Sequence, residues 1–313
     1  MSAGSGPIVL AFGVFDGVHR GHQRLFQALH DLARRYVARS AALFFDPFPK
    51  SVLAPASAPR MLCSRAEKIS LLQQAGIQEP ICFPFDHSIA ALSPQEFLEQ
   101  YIFSAYDLAA FCVGADWRFG RGNCGDAELL QRLAAEHGIP TSIVPPLWHN
   151  GAPISSTRIR AAIAAGRLSE AAAMLGRPYC LQGVVSRGLG LAGEKLHCPT
   201  ANIANPLQQL PPYGVYAAWT RLLPETEPHP GIVYIGDAPT IRSESSSAVV
   251  IELHLFSFSG DLYNHTVSVQ PLEFLRPSRK FSSREELARQ IACDIKQAKQ
   301  IIAGHSGDNP GRH

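Results

Sequence analysis

No apolar run in the 313 residues approaches the roughly 20 that a membrane-spanning helix needs. The opening MSAGSGPIVLAF has no basic segment leading into a long apolar one, so a secretory signal is not expected. Charge of one sign is also missing. Lys and Arg total 28 against 26 Asp and Glu, a formal net charge of +2, with no long basic run. That argues against nucleic acid or a membrane surface as the main partner and leaves room for a local basic cleft. Cysteine is sparse and unpaired in pattern. The seven (Cys63, Cys82, Cys112, Cys124, Cys180, Cys198 and Cys293) include no Cys-x-x-Cys and are odd in number. A disulfide framework or structural zinc is therefore not expected, and reduced thiols in a cytoplasmic protein are. No internal repeat is visible, and the oligomeric state cannot be read from the chain.

What is present divides into two textures. Through the first half, strand-like runs alternate with helical ones. IVLAFGVF, AALFF, EPICFPF, AAFCVG and TSIVPPL alternate with GHQRLFQALHDLARRYV, AEKISLLQQAG, PQEFLEQYIFSAY and DAELLQRLAAEHG. This order predicts βαβ units and a doubly wound parallel sheet, an α/β fold. ISSTRIRAAIAAGRLSEAAAMLG follows as one helical, Ala-rich stretch. From Tyr179 short strands dominate: CLQGVVSRG, GVYAAWTRL, GIVYIG, VVIELHLFSF and HTVSVQPLEFL. A closing helix, SSREELARQIACDIKQAKQII, begins with a capping-box pattern. The second half thus predicts a small antiparallel β-barrel with a C-terminal helix. The expected domains are 1–178 and 179–303, with a frayed tail over 304–313.

The most informative stretch is GVFDGVHRGHQ, which leaves a predicted strand and opens a predicted helix. Ligands of α/β sheets bind at such strand ends. Gly13, Gly17 and Gly21 let backbone approach a phosphate, and a helix N-terminus adds amide donors and partial positive charge. His19 and His22 bring imidazoles to the same place. Nucleotidyl transfer to a phosphate needs no strong base, because the attacking oxygen is already anionic; it needs in-line positioning and donors for the developing charge. A zinc pair lacks a third ligand of clear spacing. ISSTRIR adds Ser155, Ser156 and Thr157 before a helix bearing Arg158, a second anion cradle, although such a Ser/Thr run is often only a helix cap.

GVFDGVHRGH, FFDPFPKSVLAP, FDHSIAALSPQEFL, VGADWRFGRGNCGD and ISSTRIR, in that order, resemble the N-terminal domain of bacterial bifunctional riboflavin kinase/FAD synthetases. LGRPY, CPTANI, PPYGVYAA, VVIELHL, GDLYN and the closing helix carry the resemblance over roughly residues 8 to 300. It implies a Rossmann-like nucleotidyltransferase domain that joins FMN to the AMP part of ATP, giving FAD and pyrophosphate. It also implies a riboflavin-kinase-like barrel that phosphorylates riboflavin to FMN with ATP, aided by Mg²⁺. By position, His19 and His22 would hold ATP phosphates, and Gly13, Phe15, Asp16 and Gly21 would shape the pocket. Ser156, Thr157 and Arg158 would grip the triphosphate, and Asp116, Phe119 and Gly120 would line the nucleotide or flavin end. Phe48 stands where the family usually has His.

In the second half the resemblance assigns Glu252 as the base that takes the ribityl hydroxyl proton. It assigns Thr200 and Asn202 to Mg²⁺, and Gly193, Pro199 and Arg276 to the kinase ATP and flavin site. Glu252 and His254 share one face of their predicted strand. On pattern alone a strand Glu is more often solvent-facing. Departures cluster here. The loop RGLGLAGEKLHCPTAN is one residue longer than the usual form, Glu194 replaces a common basic residue, and His197 replaces Gly. Ser257 stands where Asp is usual, and the acidic residue usual near LRPSRKF is missing, with Ser278 and Arg279 in that region. Three readings stay open: a bifunctional enzyme, an adenylyltransferase with a degenerate regulatory barrel, and a noncatalytic flavin- or nucleotide-binding protein.

Overall fold

The computed structural model describes residues 6–186, 201–204, 208–225, 227–237, 249–258, 260 and 262–305. The chain divides into two compact units, Met1–Ile159 with Met174–Gly176, and Arg160–Ala173 with Arg177–His313.

The first unit is built on five parallel strands: β1 (Ile8–Phe12), β2 (Arg39–Asp46), β3 (Glu79–Pro84), β4 (Leu108–Gly114) and β5 (Thr141–Val144). Their order in the sheet is β3-β2-β1-β4-β5, with every pairing parallel. All five residues of β1 are buried, as a central strand covered on both faces requires. One face packs Val9, Ala11 and Phe44 against Phe26 and Leu29; the other packs Leu10, Phe12 and Leu43 against Phe97, Leu98 and Leu130. The helices supplying these faces include α1 (Arg20–Tyr36), α2 (Arg65–Gln74) and α3 (Ala127–Glu136). Strand order reverses between β1 and β4, and that reversal opens a crevice beyond their carboxyl ends.

Two expected helices are not continuous. The stretch from Pro94 is α-helical only to Leu98 and then widens to a π-helical segment, Glu99–Phe103. The wider turn lets Ile102 bury fully while its neighbours Tyr101 and Phe103 also pack on the sheet. The Ala-rich stretch splits into α4 (Ser156–Ala164) and α5 (Leu168–Leu175). Gly166 lies between them at φ 75°, a left-handed position that ends a helix.

The second unit is a closed antiparallel barrel of β6 (Leu181–Ser186), β7 (Ala201–Ile203), β8 (Gly214–Leu223), β9 (Pro228–Asp237), β10 (Val249–Leu255) and β11 (Thr266–Pro277). The order is β6-β7-β10-β9-β8-β11, closed by pairing of β6 with β11, which leaves no sheet edge. The long strand expected through Phe258 ends at Leu255, and Ser257 turns at φ 54°. The helix α6 (Arg284–Gly304) covers one side and buries Ala298 and Ile302 against Val215 and Ala217. Its cap is Ser283, whose side chain accepts from the Glu286 amide, while Glu286 reaches back to Ser282 rather than to the cap itself.

Candidate active site

The β1–α1 turn is held in a conformation that an unconstrained chain would avoid. Phe15 and Val18 lie in the left-handed region at φ 49° and 41°, with Gly17 between them at 76°. Such residues persist only where their surroundings over-determine them, and here the turn is tied throughout. Lys68 Nζ donates to the Val14 carbonyl at 2.8 Å. Asp16 accepts from the Leu62 amide at 2.8 Å, and its own carbonyl accepts from Ser156 Oγ at 3.1 Å. The Gly17 amide donates to Cys63 Sγ, and Gln23 Nε2 donates to the Val18 carbonyl.

This turn delivers the histidines. His19 caps α1, its Nδ1 accepting from the His22 amide at 3.4 Å, so a neutral His19 carries its proton on Nε2. The two rings stack with centroids 3.6 Å apart and planes 16° apart. Gly21 makes room: a Cβ there would meet the His19 ring at 3.1 Å. Burial holds the His22 imidazole well below its ordinary 6.5, and the neighbouring charges of His19 and then Lys68 push it the same way. His22 Nδ1 is buried with no hydrogen-bond partner. His22 is thus held as a neutral imidazole.

A cavity of about 790 Å³ opens beyond these residues, toward the large end of ligand sites, which run from roughly 300 to 1,000 Å³. Its polar lining comes from Gly13, His19, Gly21, His22, Ser155 and Ser156. Much of the rest is aromatic. Phe12, Trp117 and Phe119 form a stack with centroid spacings of 4.9 and 4.4 Å, joined by Phe45, Phe48, Phe85 and Phe97. Asp116, Lys50 and Arg118 add charge to its walls. Gly120 is required twice over, by φ 73° and by Pro94, which a Cβ would meet at 2.7 Å.

Not every expected residue reaches the cavity. Asp16 is 1% exposed and shapes the turn from behind. Thr157 is exposed and does not line the walls. Arg158 also lies outside the lining. Its Nη1 donates to the carbonyls of His149, Ala152 and Pro153 at 3.1, 2.7 and 2.9 Å, bracing the small hairpin of Trp148–His149 with Ala152–Pro153. Ser155 is the cap of α4, accepting from the Arg158 amide. Sequence reasoning missed Phe12, Trp117 and Lys68. Trp117 sits within the VGADWRFG stretch already singled out, whereas Lys68 reads as one more helix lysine.

The barrel has its own cluster. In register, Asn202 lies opposite Glu252, and Glu252 opposite Tyr234, which sets three polar side chains side by side on one face. Ile251, Leu253 and Leu255 point the other way and are buried, so Glu252 and His254 share a face as the alternation predicts. Burial raises the Glu252 carboxyl above its ordinary 4.5. Asn202 Oδ1 is buried without a partner. Arg276 does not join this cluster: its guanidinium pairs with Asp294 of α6 at 2.9–3.0 Å, and Gln290 donates to the same carboxylate. Gly193, Glu194, His197, Pro199 and Thr200 lie outside the described residues. Among the described residues no group of three or more His, Cys, Asp and Glu could hold a metal ion.

A helix N-terminus and stacked imidazoles in one cavity with an aromatic stack define a nucleotide-binding α/β domain; the barrel adds a second polar site. Comparison with known proteins narrows this. Residues 2–158 match the FAD synthetase family model, and residues 175–302 match the riboflavin kinase model. The bifunctional riboflavin kinase/FMN adenylyltransferase of Escherichia coli (strain K12) is 35% identical over 294 residues, 94% of this chain and 92% of that protein. The protein of the same name from Pseudomonas fluorescens is 31% identical over 295 residues, 94% of this chain and 93% of its own. A crystal structure described as a macrolide-efflux protein from Streptococcus pneumoniae superposes with a TM-score of 0.79 at 29% identity, covering 95% of both chains. The chain belongs to the bifunctional riboflavin kinase/FMN adenylyltransferase family. No helix among the described residues is long and apolar enough to cross a membrane.

Proposed function

We propose that this chain makes FAD in two ATP-dependent steps, one in each unit. The barrel phosphorylates riboflavin to FMN, and the α/β unit transfers the adenylyl group of a second ATP to FMN. The observation that carries this is two chemically different clusters of side chains, one in the residues that match the FAD synthetase model and one in those that match the riboflavin kinase model. We assign adenylyl transfer to 1–178 and phosphorylation to 179–303.

In adenylyl transfer, an FMN phosphate oxygen attacks the α-phosphorus of ATP, and the bond to the β-phosphate oxygen breaks to release pyrophosphate. His19, His22, the Gly21 amide and Ser156 are assigned to the triphosphate, where N–H and O–H donors meet charge building on the leaving group. The Phe12–Trp117–Phe119 stack is assigned to the planar rings of the flavin or adenine, with Asp116 and Gly120 at its edge. Arg158 is assigned a positioning role through its hairpin.

In phosphorylation, Glu252 takes the proton of the ribityl hydroxyl as that oxygen attacks the γ-phosphorus and ADP leaves. Its raised pKa suits a base that must hold that proton briefly. The unpartnered Asn202 Oδ1 is the hard oxygen donor that Mg²⁺ takes, so Asn202, with Thr200, is assigned to hold it; bound there, Mg²⁺ would neutralise phosphate charge. An enzyme using ATP twice fits the cytoplasm. The test is direct: purified protein with Mg-ATP is given riboflavin or FMN, and products are separated by chromatography. FAD from FMN and FMN from riboflavin are expected. Folded protein that makes no FAD from FMN would sink the first assignment, and one that makes no FMN would sink the second.

A further inference from the structure

Beneath the histidine turn lies a charged group that neither step uses. Lys68, on α2, is 5% exposed. Its Nζ donates to the Val14 carbonyl at 2.8 Å and stands 4.8 Å from the centroid of the Phe44 ring. Those partners are a carbonyl and a ring face, and the buried Asp16 carboxylate and Glu67 act with Lys68 on the same Cys63 thiol. Burying an ammonium costs several kcal/mol by rough estimate, so a fold keeps one where it acts on something. Val14 borders the cavity, and the carbonyl that Lys68 holds belongs to the strained segment just before Phe15.

We propose that Lys68 is a positioning residue of adenylyl transfer, fixing the Val14 carbonyl and placing a permanent positive charge behind the histidine pair. This rests on assigning the cavity to that reaction. The charge has two effects. It adds to burial and to His19 in disfavouring a proton on His22, so the stack does not become two cations 3.6 Å apart. It also favours the triphosphate that the imidazoles face. His19 in the stack and Lys68 from α2 are the titratable groups acting on His22, while Phe15 meets it edge-on.

The test compares Lys68→Met, which keeps the length and removes the charge, with Lys68→Arg, which keeps the charge. Both are made in the full chain. FAD formation from FMN, FMN formation from riboflavin, and the His22 titration by NMR are followed together. Lys68→Met is expected to lower kcat/KM for FAD formation by roughly 10- to 100-fold, a loss somewhat smaller than that of a direct oxyanion donor. FMN formation is expected to hold, and the His22 titration to move upward. Lys68→Arg should leave that titration in place and lose less than about tenfold. FAD formation by Lys68→Met within about threefold of the parent, or a loss with the His22 titration unmoved, would overturn the proposal. Should Lys68→Met lose both reactions through misfolding, Lys68→Gln, which keeps a hydrogen-bond donor and removes the charge, decides. A His22 titration moved upward supports the proposal, and one unmoved overturns it. If the unsubstituted protein makes no FAD, it is the site assignment that has failed instead.

Discussion

Replacing Gly13 with Ala tests the packing logic of the adenylyl site with one methyl group. Gly13 is not in the left-handed region, so Ala meets no backbone penalty. The obstacle is steric. A Cβ at Gly13 would lie 2.5, 2.7 and 2.9 Å from three carbons of the Phe15 ring, against an ordinary contact of 3.4–4 Å. The ring must therefore retreat by about 1 Å, and it has nowhere to go. Phe15 is 0% exposed, wedged between Phe26 at 5.2 Å and His22, which it meets edge-on at 5.3 Å. Overpacking of this kind costs about 1–3 kcal/mol. Passing the displacement to His22 should cost more in function than in stability, because about 1 Å of misplacement can lower a rate by about 100-fold. Gly13→Ala is expected to reduce FAD formation by roughly 30- to 100-fold while FMN formation from riboflavin is kept. Adding Phe15→Leu, which shortens the obstructing side chain, should recover part of the loss, giving a coupling energy of about 1 kcal/mol or more in the double-mutant cycle. Gly13→Ala activity within about twofold of the parent, or a double variant no better than the product of the singles, would refute the reasoning.

Three further outcomes are expected. His22 is held below 6.5 in the folded chain, whereas an unfolded chain takes up the proton near 6.5. Its contribution to stability is therefore complete above 6.5 and lost as pH falls below it; thermal melts should show a decline through that window, which His22→Asn flattens. Val37 ends α1 in the left-handed region at φ 51° and is 89% exposed. Val37→Gly should raise stability by about 0.5–1 kcal/mol, read as a shifted denaturation midpoint, with no change in either reaction. Arg158→Met removes a guanidinium that bonds three carbonyls of one hairpin. It should lower FAD formation about tenfold or more and destabilise the first unit by about 1–3 kcal/mol, without impairing FMN formation.

Much of this was legible because it is local. The alternation of strand and helix in the first half predicts the parallel sheet. The Gly-x-x-x-Gly-x-x-x-Gly spacing puts the turn at a strand end, and His22 lies three residues after the His19 cap, one helical turn on, where the two rings stack. Glu252 and Asn202 are adjacent strand-to-strand, yet only register shows it: fifty residues separate them, and no sequence period links them. Lys68 and Trp117 were hidden for the same reason. A lysine among helix polar residues reads as solvent-facing until the sheet seals it against Val14 and Phe44, and an aromatic stack exists only once β1 and the Asp116–Gly120 turn converge. Arg158 and Arg276 show the opposite case. Both are cations near expected phosphate sites, and both are engaged by partners that only the tertiary fold supplies, a hairpin and a helix carboxylate. A side chain with one obvious ligand in sequence can have several competing ones in space.

The central claim is that two reactions run at two separate sites of one chain, and a crossed pair of variants tests it most directly. His19→Ala and Glu252→Gln are each assayed with Mg-ATP for FAD from FMN and for FMN from riboflavin. The account predicts reciprocal losses: His19→Ala loses FAD formation by about 100-fold or more and keeps FMN formation, while Glu252→Gln loses FMN formation and keeps FAD formation. Both reactions falling together in either folded variant would contradict it.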